Sequence, residues 1–323
     1  MKKSMILGFL ISAALLYFSV REIDFVSVTE SFRSLRYSYI ILVTAALTAL
    51  QVLRSYRWGI ILSPIKKMDQ ISLFSITSVG CLALVAIPAR IGELARPYLI
   101  KKRTGMSMTT ALGTVFIERV LDGLTVLVFF FTALFFVPLP PWLVNSSIAF
   151  LLFTLAVLIF MLFLIFRRKA SLNVLERITR ILPDRWTSNL NELIHHFVDG
   201  IEMITDMKII FHATFLSMII WVLDIAAIYI LFLAFGMKLS MIAAVIVMVV
   251  LIIGITLPTA PGYVGNWHFF CIAALTFFGV SKSDALTYAV MLHFISVGVI
   301  VVLGLIFLPF NKFSFSDLSN RQL

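Results

Sequence analysis

Charge is scarce in this sequence. Only 13% of its 323 residues are Asp, Glu, Lys or Arg, about half the share of an ordinary soluble domain. Cysteine is scarcer still: Cys81 and Cys271 lie far apart in apolar surroundings, read as small buried hydrophobes with no metal-ligand spacing. No G-x-x-x-x-G-K-[ST] loop occurs, and no Asp pair is spaced for a metal-bound sugar nucleotide. A nucleotide site is therefore not expected. The period-2 alternation of a membrane-spanning barrel strand is also missing.

What is present is apolar: 61% of the chain is hydrophobic. Runs near 5–20, 39–62, 71–88, 106–137, 147–166, 209–235, 239–257, 266–280 and 284–310 approach the roughly 20 residues a helix needs to cross a bilayer. The fold class is an all-α polytopic membrane protein. The net charge of +10 clusters at the ends of these runs, where it sets orientation and meets anionic headgroups rather than nucleic acid. The opening MKKSMILGFLISAALLYFSV has the charged start of a signal peptide but no A-x-A site, so it is read as an uncleaved first helix.

IPARIGELARP, residues 87–97, interrupts an apolar run with two arginines, a glutamate, a glycine and two prolines. If 71–88 crossed fully, Lys101, Lys102, Arg103, Arg167, Arg168 and Lys169 would fall outside. If 71–100 dips in and returns, all six stay cytoplasmic, which the positive-inside rule favours. VPLPPWLVNSS, 137–147, then lies outside. Both chain ends are expected in the cytoplasm of a multi-pass cell-membrane protein.

The interruption has an echo. PARIGE (88–93) resembles PGYVGN (261–266), pairing Pro88 with Pro261 and Gly92 with Gly265. GMSMTTALGTVFIERVLDGL (105–124) resembles GVSKSDALTYAVMLHFISVG (279–298) at nearly the same shift. Three crossings separate the two units, so the second enters from the opposite face. The expectation is one transmembrane domain, 1–323, with a first repeat over 39–137 and a second, inverted repeat over 209–310. About six spanning helices accompany two re-entrant broken hairpins. The polar interval 167–208 serves as a cytoplasmic amphipathic connector. Inverted repeats with broken helices are the plan of many secondary transporters.

Irregular backbone and charge at membrane depth are tolerated where they are buried in protein or line a wet cavity. Candidate substrate-binding residues are therefore Arg90, Glu93, Arg96, Glu118, Arg119, Asp122, Asp224, His268 and His293. Glu118 and Asp122 are four apart and share a helix face, with Arg119 flanking Asp122. Either this triad satisfies itself, or the arginines offer planar donors to a phosphate while the carboxylates orient them. Glu93 is three residues from both Arg90 and Arg96, so an internal ion-pair ladder is the alternative to a ligand role there. Asp224 corresponds to Gln51 at the repeat shift, and either lines a pathway or pairs with a neighbouring arginine. His268 and His293 suit proton coupling or simple core hydrogen bonding. Pro88, Gly92, Pro261, Gly262 and Gly265 shape the hairpin backbones; the glycines permit tight turns and close approach.

LRSYRW (53–58), PARIGELARPYLIKKRTG (88–105), ERVLDG (118–123) and LPTAPGYVG (257–265) together resemble the flippase-like integral membrane family typified by the transmembrane part of lysylphosphatidylglycerol synthase, the multiple peptide resistance factor. The resemblance covers nearly the whole chain and implies movement of a lipid or lipid-linked headgroup between leaflets. A soluble aminoacyl-transfer domain is not expected here. Three positions depart from the family pattern: Tyr263 stands where a second glycine is usual, His268 near a usual glutamate, and His293 near a usual arginine. The substrate expected is a membrane phospholipid or lipid-linked molecule, with proton coupling and homo-oligomer formation as further expectations and no cofactor, metal or nucleic acid. The alternative function is an integral membrane transferase acting on a lipid-linked sugar or headgroup, using Glu93, Glu118 or Asp122 as acid or base. A third is a non-catalytic partner of a lipid-synthesis enzyme.

Overall fold

Long apolar stretches have no water to satisfy their backbone, so they form helices throughout. The computed structural model describes residues 2–87, 92–166, 184–202, 206–257 and 260–311. Pro88 and Arg90 lie outside them. The helices are α1 (Lys2–Val20), α2 (Phe25–Arg33), α3 (Ser38–Leu62), α4 (Gln70–Ala86), α5 (Ala95–Thr104), α6 (Met108–Leu134), α7 (Pro141–Phe166), α8 (Asp184–Glu202), α9 (Met207–Ala234), α10 (Met241–Thr256), α11 (Asn266–Phe277) and α12 (Lys282–Asn311).

Among the described residues, α3, α7, α9 and α12 are long and apolar enough to cross a membrane. A fifth span is formed if α1 and α2, bent by 84° at their junction, count as one. Helix α6 is as long, 27 residues, but carries Glu118, Arg119 and Asp122 at its middle. Helices α4 and α10, with 17 and 16 residues, rise about 25 Å, short of the ~30 Å hydrocarbon core. Each is followed by a break and a short return helix, α5 or α11.

Helix α2 was not anticipated. It starts where Asp24 accepts the Val26 amide at 3.0 Å, a side-chain cap that satisfies one of the orphan donors of a helix start. Helix α7 also begins earlier than the apolar run, at Pro141, because a proline is pre-set for the first helical turn. Thus PWLVNSS, 141–147, is helical. The described part of the connector, α8, packs on α6 and α7, its buried Val198 and Ile201 meeting Ile117, Val120 and Met161.

Packing follows the rule for helices in lipid, where close approach replaces hydrophobic drive. A Cβ on Gly200 would stand 2.3 Å from the Thr110 carbonyl oxygen of α6, and one on Gly113 would stand 2.8 Å from Phe197 O of α8. Gly304 of α12 receives Leu82 of α4 in the same way. Helix α3 packs on α9, α4 on α12, and α6 on α10. The largest apolar core runs through α3, α9, α10, α11 and α12, with Phe232, Val247 and Tyr288 fully buried. Outward faces carry Ile41, Phe153, Phe211 and Phe294, side chains suited to lipid tails.

Candidate functional site

Glu118 and Asp122 share one face of α6, as their spacing requires, and both are buried. Their partner is Arg57 of α3, with no exposed surface. Arg57 Nη1 donates to Asp122 Oδ1, and Nη2 to Asp122 Oδ2 at 3.1 Å and Glu118 Oε1 at 2.7 Å. Helix α9 completes the shell: Arg57 Nη1 also donates to Ser217 Oγ at 2.6 Å, and Trp221 Nε1 donates to Asp122 Oδ1 at 3.0 Å. Two-pronged arginine–carboxylate contacts of this kind are among the strongest polar pairings in proteins.

The first hairpin delivers Arg96 to the same cluster. Its Nη1 lies 2.8 Å from Glu118 Oε2, an ion pair not aligned as a hydrogen bond. Its guanidinium carbon stacks 4.1 Å over the ring of Trp58, whose Nε1 is fixed by Thr114 at 3.1 Å. The stem of Arg96 crosses α4 at Gly80, where a Cβ would stand 2.3 Å from Arg96 Cγ. Gly92 seats the returning chain: a Cβ there would be 2.2 Å from the Ala83 carbonyl oxygen.

Arg119 does not join this inner shell. Its side chain is 47% exposed and 3.9 Å from Asp122, with the charge of Glu93 also acting on it. The ladder reading of Glu93 and Arg96 gives way on the arginine's side, because Arg96 reaches across to α6. Arg54 of α3 serves both members of the pair predicted from the repeat: it donates to Gln51 Oε1 at 3.4 Å, and its charge acts on Asp224.

The second hairpin brings His268 and His293 together, rings 4.8 Å apart. His293 Nε2 meets the Gly262 carbonyl at 2.6 Å, so that nitrogen carries the proton. Pro261 opens the 3₁₀ turn, and Gly262 and Gly265 hold φ of 71° and 89°. Tyr263 holds φ of 60°, a conformation that suits glycine. Gly265 abuts Ser12 of α1, where a Cβ would be 2.2 Å from the Ser12 carbonyl oxygen. Ser12 Oγ accepts the Ala260 amide at 2.8 Å and donates to the buried Asn266 Oδ1 at 3.2 Å.

Sequence reasoning missed three of these parts. Arg57 lies near the end of its apolar run, where the sequence offers no sign of a partner. Trp58 and Ser12 carried no signal of their own, although LRSYRW, which holds Arg57 and Trp58, was among the stretches bearing the resemblance. The ionic cluster is packed shut. A separate cavity of about 220 Å³ lies farther along α6, between α7 and α10, lined by residues such as Val126, Phe130, Ser147, Phe150 and Val249. Its lining carries no charged residue. Among the described residues no group of three or more His, Cys, Asp or Glu could hold a metal ion.

Two UPF0104 membrane proteins of Methanothermobacter thermautotrophicus are similar to the chain. One is 26% identical over 239 residues, 70% of each chain; the other is 27% identical over 276 residues, 79% of this chain and 78% of its own. A UPF0104 membrane protein of Methanocaldococcus jannaschii is 25% identical over 222 residues, 68% of this chain and 90% of its own. No solved structure matches. Residues 5–304 match the family described as the lysylphosphatidylglycerol synthase TM region, and this chain, a multi-pass membrane protein, belongs to that family.

Proposed function

We propose that the protein moves an anionic phospholipid or lipid-linked molecule across the cell membrane, its headgroup handled between two re-entrant hairpins. The observation that carries this reading is the closed Arg57–Glu118–Asp122–Arg96 network. Each charge at a helix centre costs roughly 2.5–3.5 kcal/mol on insertion scales. Concentrating four of them where the first hairpin returns is hard to account for by structure alone.

The inverted repeat is part of the proposal. At a shift near 174, α3, α4, α5 and α6 correspond to α9, α10, α11 and α12. The packing pairs exchange under this correspondence: α4 with α12 becomes α10 with α6, and α3 with α9 maps onto itself. One contact recurs in detail. Gly80 meets the side chain of Arg96, and Gly254 meets that of Phe270; 254 − 80 and 270 − 96 are both 174. Counting α6 and the bent α1–α2 pair with the four clear spans gives six crossings, with α4–α5 and α10–α11 as hairpins dipping from opposite faces. Both chain ends then lie in the cytoplasm. Rocking of one half against the other alternates access, and the His268–His293 pair beside Gly262 is the candidate proton-coupling element.

The test is translocation of labelled phospholipid in liposomes containing purified protein. Arg119→Ala is the informative variant, since Arg119 is half-exposed and Asp122 keeps Arg57 when it is removed. It should fold normally and lose flux. Rates equal to those of protein-free vesicles would remove the transport reading.

A further inference from the structure

The cavity between α6, α7 and α10 measures about 220 Å³. An engineered core cavity of about 150 Å³ stays dry and holds benzene, so this one takes about nine non-hydrogen atoms on the same scale. Seven of its ten lining residues are apolar and none is charged, so an ionised guest would shed its hydration without compensation. One lining group lacks a polar partner. Ser147 of α7 is 1% exposed, and its Oγ makes no hydrogen bond. Thr125 and Thr132 of α6 and Thr154 of α7 turn their hydroxyls back to a carbonyl four residues earlier. Ser147 does not, and a buried hydroxyl left without a partner is rare. A water is a poor occupant, because a buried water makes about three hydrogen bonds and Thr256 Oγ1 already donates to Ile253 O at 2.6 Å. The opposite half of the molecule has no such space. Leu82 of α4 fills the notch at Gly304 of α12, whereas Thr256 and Phe130, which correspond to them, both line the cavity; 256 − 82 and 304 − 130 are both 174.

We infer that this cavity binds one neutral amphiphile, an apolar chain or ring of about nine non-hydrogen atoms, through a single oxygen that pairs with Ser147 Oγ. A serine hydroxyl both donates and accepts, so the guest's oxygen is a hydroxyl or a carbonyl. The exposed Thr256 marks the open end of the cavity, and a guest of this polarity reaches it from the bilayer. The site is separate from the ionic cluster and does not depend on the transport reading.

Photolabelling of the purified full chain in phosphatidylcholine nanodiscs tests this. The probes are 1-octanol and octane, each carrying a diazirine on its chain, with adducts located by peptide mass spectrometry. The octanol probe should label saturably, on the segments around Phe130, Phe150 and Val249. In Ser147→Ala its half-saturating concentration should rise about fivefold, the loss of one hydrogen bond, while that of the octane probe stays unchanged. Excess octanoate should not displace either probe. Val249→Phe, which fills the space, should remove both probes from these segments. Adducts that never saturate, or that fall equally on the lipid-facing Phe153 and Phe160, mean a lipid-side film only and overturn the inference. Octanol labelling untouched by Ser147→Ala overturns it too, since an apolar chain end would then suffice. So does displacement by octanoate. Should Val249→Phe fail to fold, Ser147→Ala with the octane reference decides alone.

Discussion

Arg57 of α3 and Asp122 of α6, 65 residues apart in sequence, meet as a two-pronged ion pair with Arg57 wholly enclosed. Removing one member of such a pair strands the other charge, which costs about 3–5 kcal/mol. Arg57→Ala should therefore destabilise the protein by that order in detergent unfolding. The double variant Arg57→Met with Asp122→Asn leaves Glu118 paired to Arg96 and should recover more than half of the loss. A double variant no better than Arg57→Ala would mean that the pair is not an isolated electrostatic unit.

Two glycines of the first hairpin separate folding from function. A methyl group on Gly92 meets backbone atoms of Ala83 and Leu84, which cannot yield, so Gly92→Ala should cost about 1–3 kcal/mol of stability. On Gly80 it meets the stem of Arg96, a side chain that can move. Gly80→Ala should unfold close to wild type yet lose lipid flux. Melting curves set beside flux for the two variants check this, and an equal melting loss in both contradicts it.

Tyr263 holds a left-handed conformation that costs a non-glycine residue roughly 1–2 kcal/mol. Glycine at that position gives back about 0.5–1 kcal/mol through its freer unfolded chain. Tyr263→Gly should stabilise by about 1 kcal/mol, read as a higher melting temperature. A lower melting temperature would show that contacts of the tyrosine ring outweigh the strain.

Asp69 caps α4 through the Ser72 amide at 2.8 Å. Hydrogen bonds from the Ser72 hydroxyl and then its amide hold the carboxyl below its ordinary 3.8. A lowered folded pKa gives stability that is present above the unfolded value and lost as pH falls through the folded one. Melting temperature should therefore drop between about pH 5 and pH 2 with a component that Asp69→Asn lacks. Parallel curves for the two proteins would contradict the cap's charge dependence.

The apolar elements were legible because charge is rare here, and each break in a run marks a boundary. Glu118 and Asp122 stood out for the same reason. Arg57 did not, since an arginine five residues before the end of an apolar helix reads as an anchor at the headgroups. Its role is set by carboxylates more than sixty residues away, which no local pattern reveals. His268 and His293 were singled out as departures from a family pattern, but their contact depends on how α11 folds onto α12. The nine-residue α2 is too short for a hydrophobic period, and only its Asp24 cap marks it.

The clasp between Ser12 and the second hairpin has a consequence for biogenesis. Ser12 bonds the Ala260 amide and Asn266, partners 248 and 254 residues further along the chain. At roughly 5–20 residues per second, the ribosome delivers them about 12–50 s after α1 emerges. Through that interval the first helix waits in the bilayer without its mate, and insertion of the protein is complete only when nearly the last hairpin arrives to claim it.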